Sequence, residues 1–115
     1  MFPKDRPLKE SEKDVEIHLK DIIEMLGGLC LKWVCPGLRG VPDRICLLPE
    51  SIIFFVELKS EGKDLEPHQQ RRARDLERLG HRCYMANTKA ACNEIVKWEI
   101  NNVGSKERSP YRSKY

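Results

Sequence analysis

From Ser11 onward the chain runs through apolar stretches of two different periods, and each change of period marks an element. Val15, Ile17, Leu19, Ile22, Ile23 and Leu26 contain the three-and-four spacing of one buried helical face. Ser11 stands where an N-cap belongs and Gly27-Gly28 supplies the stop, which predicts a helix over about 11–26. Leu29 to Cys35 is short, apolar and rich in strand formers, and Pro36-Gly37 ends it. The next loop, Pro36 to Pro42, holds two glycines and two prolines and reads as a turn of specified backbone. A second strand opens at Asp43 and runs to Pro49; after a turn at Pro49-Glu50-Ser51 a third, Ser51 to Lys59, follows as its hairpin partner. The third strand is apolar on both faces until Glu57, which places it centrally in a sheet.

Beyond the polar loop after Ser60, Pro67 suits the first turn of a second helix, where its missing N–H costs nothing. That helix, about 67–79, offers Ala73, Leu76 and Leu79 as its buried stripe and Gly80 as its stop. His81 to Asn87 reads as a fourth strand, and Lys89 to about Val103 as a last helix with Ile95, Trp98 and Ala91 facing inward. The expected order is α-β-β-β-α-β-α, an α/β fold with a mixed sheet flanked by helices, as one domain over 11–103. The first 10 residues read as an irregular lead-in.

Composition narrows the class of protein. A chain of 115 residues with 40% apolar and 34% charged positions holds one core and is too hydrophobic to be wholly disordered. Its longest uncharged apolar run, Ser51 to Val56, is far too short to span a bilayer, and the N-terminus has no apolar segment of the kind a secretory signal needs. Five cysteines, Cys30, Cys35, Cys46, Cys83 and Cys92, fit reduced thiols and a cytoplasmic setting. Net charge is +3, and the segment 104–115, with Lys106, Arg108, Arg112 and Lys114 against Glu107, carries the surplus and reads as a mobile basic tail. His18, His68 and His81 are scattered without zinc-ligand spacing, and neither a phosphate-binding glycine loop nor a Ser-His-Asp or Cys-His set stands out.

The third strand ends on Glu57-Leu58-Lys59 instead of on turn residues, so a carboxylate and an ammonium share one face while Leu58 points to the other. Alone, this is an ordinary strand end. Asp43, at the start of the adjacent strand with 13 residues between it and Glu57, changes the picture, because hairpin pairing brings both carboxylates to one end. Two carboxylates held close repel unless a cation sits between them, and hard oxygen ligands suit Mg²⁺ or Mn²⁺. With an ammonium beside it, such a site suits phosphodiester chemistry.

Gly40-Val41-Pro42-Asp43, then Glu57-Leu58-Lys59, then Pro67-His68-Gln69 resemble the PD-(D/E)XK nuclease superfamily, and more narrowly the stand-alone form of the VRR-NUC (virus-type replication-repair nuclease) domain. The likeness runs from about Ser11 to Thr88. It implies a restriction-endonuclease-like fold, with Asp43, Glu57 and the Leu58 carbonyl as ligands of Mg²⁺ or Mn²⁺, Lys59 acting on the attacking water and Gln69 beside them. It also implies an acidic residue from the first helix. Glu16 is favoured, 11 residues before Gly27 as in similar archaeal-type junction resolvases, and Glu12, one turn earlier, is the alternative. Arg39, Arg44, Lys63, Arg71, Arg72 and Arg74 are the expected DNA contacts. The implied activity is a metal-dependent endonuclease of phage or prophage origin in a bacterial cytoplasm, resolving Holliday junctions as a homodimer. A monomeric flap or nicking nuclease and a non-catalytic branched-DNA-binding module are the competing readings.

Overall fold

A computed structural model describes residues 9–105 and 109–112. Helix α1 (Glu12–Met25) starts on a capping box in which Ser11 Oγ accepts from Asp14 N at 3.0 Å and Asp14 accepts from Ser11 N. Val15, Leu19 and Ile23, one turn apart, are fully buried. The apolar face is narrower than the sequence pattern suggests, since Ile17 and Leu26 are close to half exposed. Gly28 lies so near the second strand that a Cβ there would stand 2.1 Å from the Leu47 carbonyl oxygen, so the turn into the sheet requires glycine.

The sheet has the order β1 (Leu29–Lys32), β2 (Arg44–Leu48), β3 (Ile52–Leu58), β4 (Cys83–Ala86). The first three strands pair antiparallel, and β4 joins β3 in parallel after the crossover helix α2 (Pro67–Arg78). The element order and the mixed α/β sheet agree with expectation. Strand β1 is shorter than the apolar run that predicts it: Trp33 N still donates to the Asp43 carbonyl at 2.9 Å, but Pro36 and Gly37 then turn the chain away. Both β2 and β3 are interior strands, which accounts for the apolar residues on each side of β3.

One sheet face carries Cys30, Cys46, Phe54, Val56 and Leu58 against α1 and α3 (Lys89–Asn101), forming the larger core. The other carries Phe55, packed with Leu65, Ala73 and Cys83 under α2. Leu79, expected in the buried stripe of α2, is 65% exposed because the helix has already stopped at Arg78. In α3 the buried residues are Cys92, Ile95, Val96 and Glu99, while Trp98 is only half-buried. Glu99 is tolerated in the core because Arg82 Nε donates to both of its oxygens, at 2.7 and 2.9 Å, and the Tyr84 hydroxyl donates to it as well.

The lead-in falls mostly outside the described residues, as do Lys106, Glu107, Arg108 and Lys114 of the basic segment. The described part of that segment is docked. Ser109 is buried, Arg112 forms a bridge to Tyr84 at the free edge of β4, and its guanidinium pairs with Glu77.

Candidate active site

The residues of interest gather where β2 begins and β3 ends. In the β2–β3 register Arg44 faces Val56, which sets Asp43 opposite Glu57 one step further along. Asp43 is fixed by a main-chain donor: its Oδ2 accepts from Leu58 N at 2.9 Å. Leu58 turns its side chain into the larger core, so Glu57 and Lys59 share the opposite face, that of α2. The backbone of Lys59 is held in turn by donating to the Ala86 carbonyl at 3.0 Å.

Glu57 is only 5% exposed. Burial, followed by the hydrogen bond and the negative charge of Asp43, pushes its carboxyl up to about 9; the ammonium of Lys59 opposes this, and Glu12 adds to it. Near neutral pH, without a cation beside it, the Glu57 carboxyl therefore keeps its proton. Among the described residues, no group of three or more His, Cys, Asp or Glu side chains is arranged to hold a metal ion. The donor set nevertheless fits a hard divalent cation: two carboxylates in contact, one of them buried and short of compensating charge, with a half-buried ammonium two residues on. A cation there would be held by Asp43 and Glu57, with water or phosphate oxygens filling its remaining positions.

The two carboxylates of α1 take different places. Glu16 is engaged by Lys13 Nζ and by Arg44 Nη2, each at 3.2 Å; burial alone would raise its carboxyl, but these cations outweigh it and hold it below the ordinary range. Glu12, exposed and one turn earlier, is the helix carboxylate whose charge reaches Glu57.

Gly40 links the glycine loop to α2. It has φ +87°, and a Cβ there would stand 2.3 Å from the His68 carbonyl oxygen, so the loop rests directly on the first turn of the helix. The same Cβ would stand 3.1 Å from Gln69 N, so the loop that leads to Asp43 touches the backbone at Gln69. Gln69 Oε1 accepts from Glu66 N at 2.8 Å, which fixes the side chain at the helix start. The sequence pattern marks the loop as a specified turn but gives no sign of what it rests on.

The basic residues fall into two groups. Arg39, Lys63, Arg71 and Arg74 are exposed. Arg72 is engaged by the Arg39 carbonyl and by Asp75, and Arg44 is turned inward with its side chain 12% exposed. Arg44 therefore presents no open guanidinium to a phosphate. A separate pocket of about 600 Å³ opens near the Glu50-Ser51 turn and is lined by Arg82, Trp98 and Arg112; its arginines already pair with Glu99 and Glu77, and it does not include Asp43, Glu57 or Lys59.

No family model matches the chain. A protein described as "Putative nuclease p44", from Acyrthosiphon pisum secondary endosymbiont phage 1, is 44% identical over 70 residues, which is 61% of this chain and 75% of that protein. A solved structure titled "VRR_NUC domain" superposes with a TM-score of 0.71 at 28% identity, covering 76% of this chain and 97% of that one. With the order of elements in agreement, the chain belongs to the VRR-NUC domain family.

Proposed function

We propose that this domain is a Mg²⁺- or Mn²⁺-dependent endonuclease that cuts phosphodiester bonds in branched DNA. One observation carries the reading: two carboxylates are forced together at the end of a buried strand pair, with Lys59 on the same face. The nuclease named among the relatives and the VRR-NUC likeness support it.

Asp43 and Glu57 hold the cation, Glu12 adds negative charge from α1, and the Leu58 carbonyl lies between the strand ligand and Lys59 in sequence. When bound, the ion polarises a phosphoryl oxygen and makes water a better nucleophile at neutral pH. Lys59 orients that water or takes its proton, and its charge counters the negative charge that develops at phosphorus. Gln69, whose side chain caps the start of α2 in the free protein, is assigned to the same site by the resemblance. Arg39, Lys63, Arg71 and Arg74 bind flanking phosphates, positioning the strand without reading its sequence.

A domain of this size has little surface with which to grip a four-way junction alone, and two copies related by a two-fold axis would place paired sites on its opposed strands. We accordingly assign a homodimeric junction-resolving activity, and the phage relative supports a phage or prophage origin. The test is incubation of wild type and Lys59→Ala with a synthetic four-way junction, a flap and a plain duplex, in Mg²⁺, in Mn²⁺ and in EDTA, alongside the solution mass. Paired, symmetric incisions by a dimer are expected, abolished by EDTA and lowered at least about 100-fold by Lys59→Ala. Single unpaired cuts by a monomer would replace resolution with nicking, and cleavage unchanged in Lys59→Ala would remove the nuclease assignment.

A further inference from the structure

Arg44 follows Asp43 directly, yet its guanidinium points away from any open surface. Nη2 reaches Glu16 of α1 at 3.2 Å, Nη1 donates to the Cys30 carbonyl of β1 at 3.1 Å, and Nε is buried without an acceptor among the described residues. One side chain thus ties the helix to two strands, beside the residue that begins the carboxylate pair. A cation with a buried, unmatched N–H is a poor source of stability, because desolvation offsets most of the attraction to Glu16. What such a pair supplies is direction. Apolar burial of Val15, Leu19 and Ile23 holds α1 on the sheet but is non-directional, whereas an ion pair with a fixed hydrogen-bond geometry sets rotation and height.

That direction matters one turn away. Glu12, Lys13 and Asp14 are all exposed, so Val15 is the one apolar anchor in the first turn of α1. Among the described residues its polar ties include Glu10, which accepts from Lys89 N at 2.7 Å on the α3 side, and the Glu16–Arg44 pair on the sheet side. Glu12 lies four residues before Glu16, about 6 Å along the axis and on the same face, so a shift of Glu16 is passed on to Glu12.

We propose, on the footing of the metal-dependent nuclease reading, that Glu16 and Arg44 are positioning residues. Their ion pair sets the helix that brings Glu12 toward the Asp43–Glu57 pair, and neither contacts DNA or metal.

The test uses the full chain, with wild type, Glu16→Gln, Arg44→Lys and the double variant Glu16→Met/Arg44→Met. Mn²⁺ binding is followed by electron paramagnetic resonance without DNA, and kcat, KM and their salt dependence are measured on the junction well below the melting temperature. The double variant is expected to keep the wild-type urea midpoint or exceed it, to bind Mn²⁺ about 10- to 100-fold more weakly, and to lose kcat with KM within about twofold. Glu16→Gln keeps a hydrogen bond to Arg44 and is expected to stay within about threefold of wild type in Mn²⁺ affinity, whereas Arg44→Lys, which loses the bond to Cys30, falls by about threefold or more with KM unchanged. If the double variant does not fold, these two decide.

Glu16→Gln as damaging as the double variant would make Glu16 a ligand and overturn the proposal. So would wild-type Mn²⁺ affinity in both Arg44 variants, or a raised KM with a salt slope lowered by about one, which would put Arg44 on a phosphate. Wild type that neither binds Mn²⁺ nor cuts the junction would instead sink the nuclease reading itself.

Discussion

Glu57→Gln removes the ionisable group from a residue that is 5% exposed while keeping its shape and hydrogen-bonding reach. The Glu57 carboxyl is pushed from an ordinary 4.5 to about 9, mainly by burial and then by Asp43. A carboxyl whose folded-state pKa lies above its unfolded value supports the fold fully below the unfolded pKa, and that support is lost as pH rises toward the folded one. Wild type without metal should therefore lose stability steadily between pH 5 and pH 8. At about 1.4 kcal/mol per pH unit the full effect approaches about 4 kcal/mol, and solvent reaching the carboxyl leaves about 2 to 4 kcal/mol, or roughly 10–20 °C in melting temperature. Urea denaturation in EDTA at pH 5, 6, 7 and 8 measures it directly. Glu57→Gln should remove most of the decline, so that the variant is the more stable protein at pH 8. Saturating Mn²⁺ at pH 8 should then restore wild type and leave Glu57→Gln unmoved. Parallel stability curves for the two proteins, or equal Mn²⁺ effects, would refute the claim that this buried carboxylate waits for a cation.

Two other perturbations probe the frame and the surface. Gly40→Ala forces a Cβ to within 2.3 Å of the His68 carbonyl oxygen at a positive φ, so it should cost about 2–4 kcal/mol by urea denaturation and weaken cleavage by parting Asp43 from Gln69; a midpoint within experimental error of wild type would contradict the contact. Arg71→Ala/Arg74→Ala should weaken binding to junction and duplex alike and lower the slope of log affinity against log salt by about two, while Mn²⁺ binding without DNA stays unchanged; an unaltered slope would remove these arginines from the interface.

The fold was legible because its signals are local. Ser11, Gly27-Gly28, Pro36-Gly37, Pro67 and Gly80 punctuate the chain by backbone chemistry that needs no partner, and the apolar runs between them change period cleanly. The strand-end residues were legible for the same reason: alternation puts Glu57 and Lys59 on one face, and a hairpin brings Asp43 to them. What the pattern could not give depends on contacts distant in sequence. Glu12 and Glu16 stand on one face of α1, and the position of Arg44 separates them, engaging Glu16 while Glu12 stays exposed. Arg44 reads as a basic residue beside an acidic site until burial turns it inward. Leu79 fits the helical period but lies beyond the last turn, and Arg112 reads as tail charge although Glu77 and the free edge of β4 capture it.

The proposed activity depends on a divalent cation held between Asp43 and Glu57. Crystals of wild type soaked in Mn²⁺, with diffraction collected at a wavelength where manganese scatters anomalously, test this most directly. The predicted result is one strong anomalous peak within about 2.0–2.5 Å of carboxylate oxygens of both residues, absent from crystals of Glu57→Gln. No peak at that position in fully soaked wild-type crystals, or a peak that persists unchanged in Glu57→Gln, would contradict it.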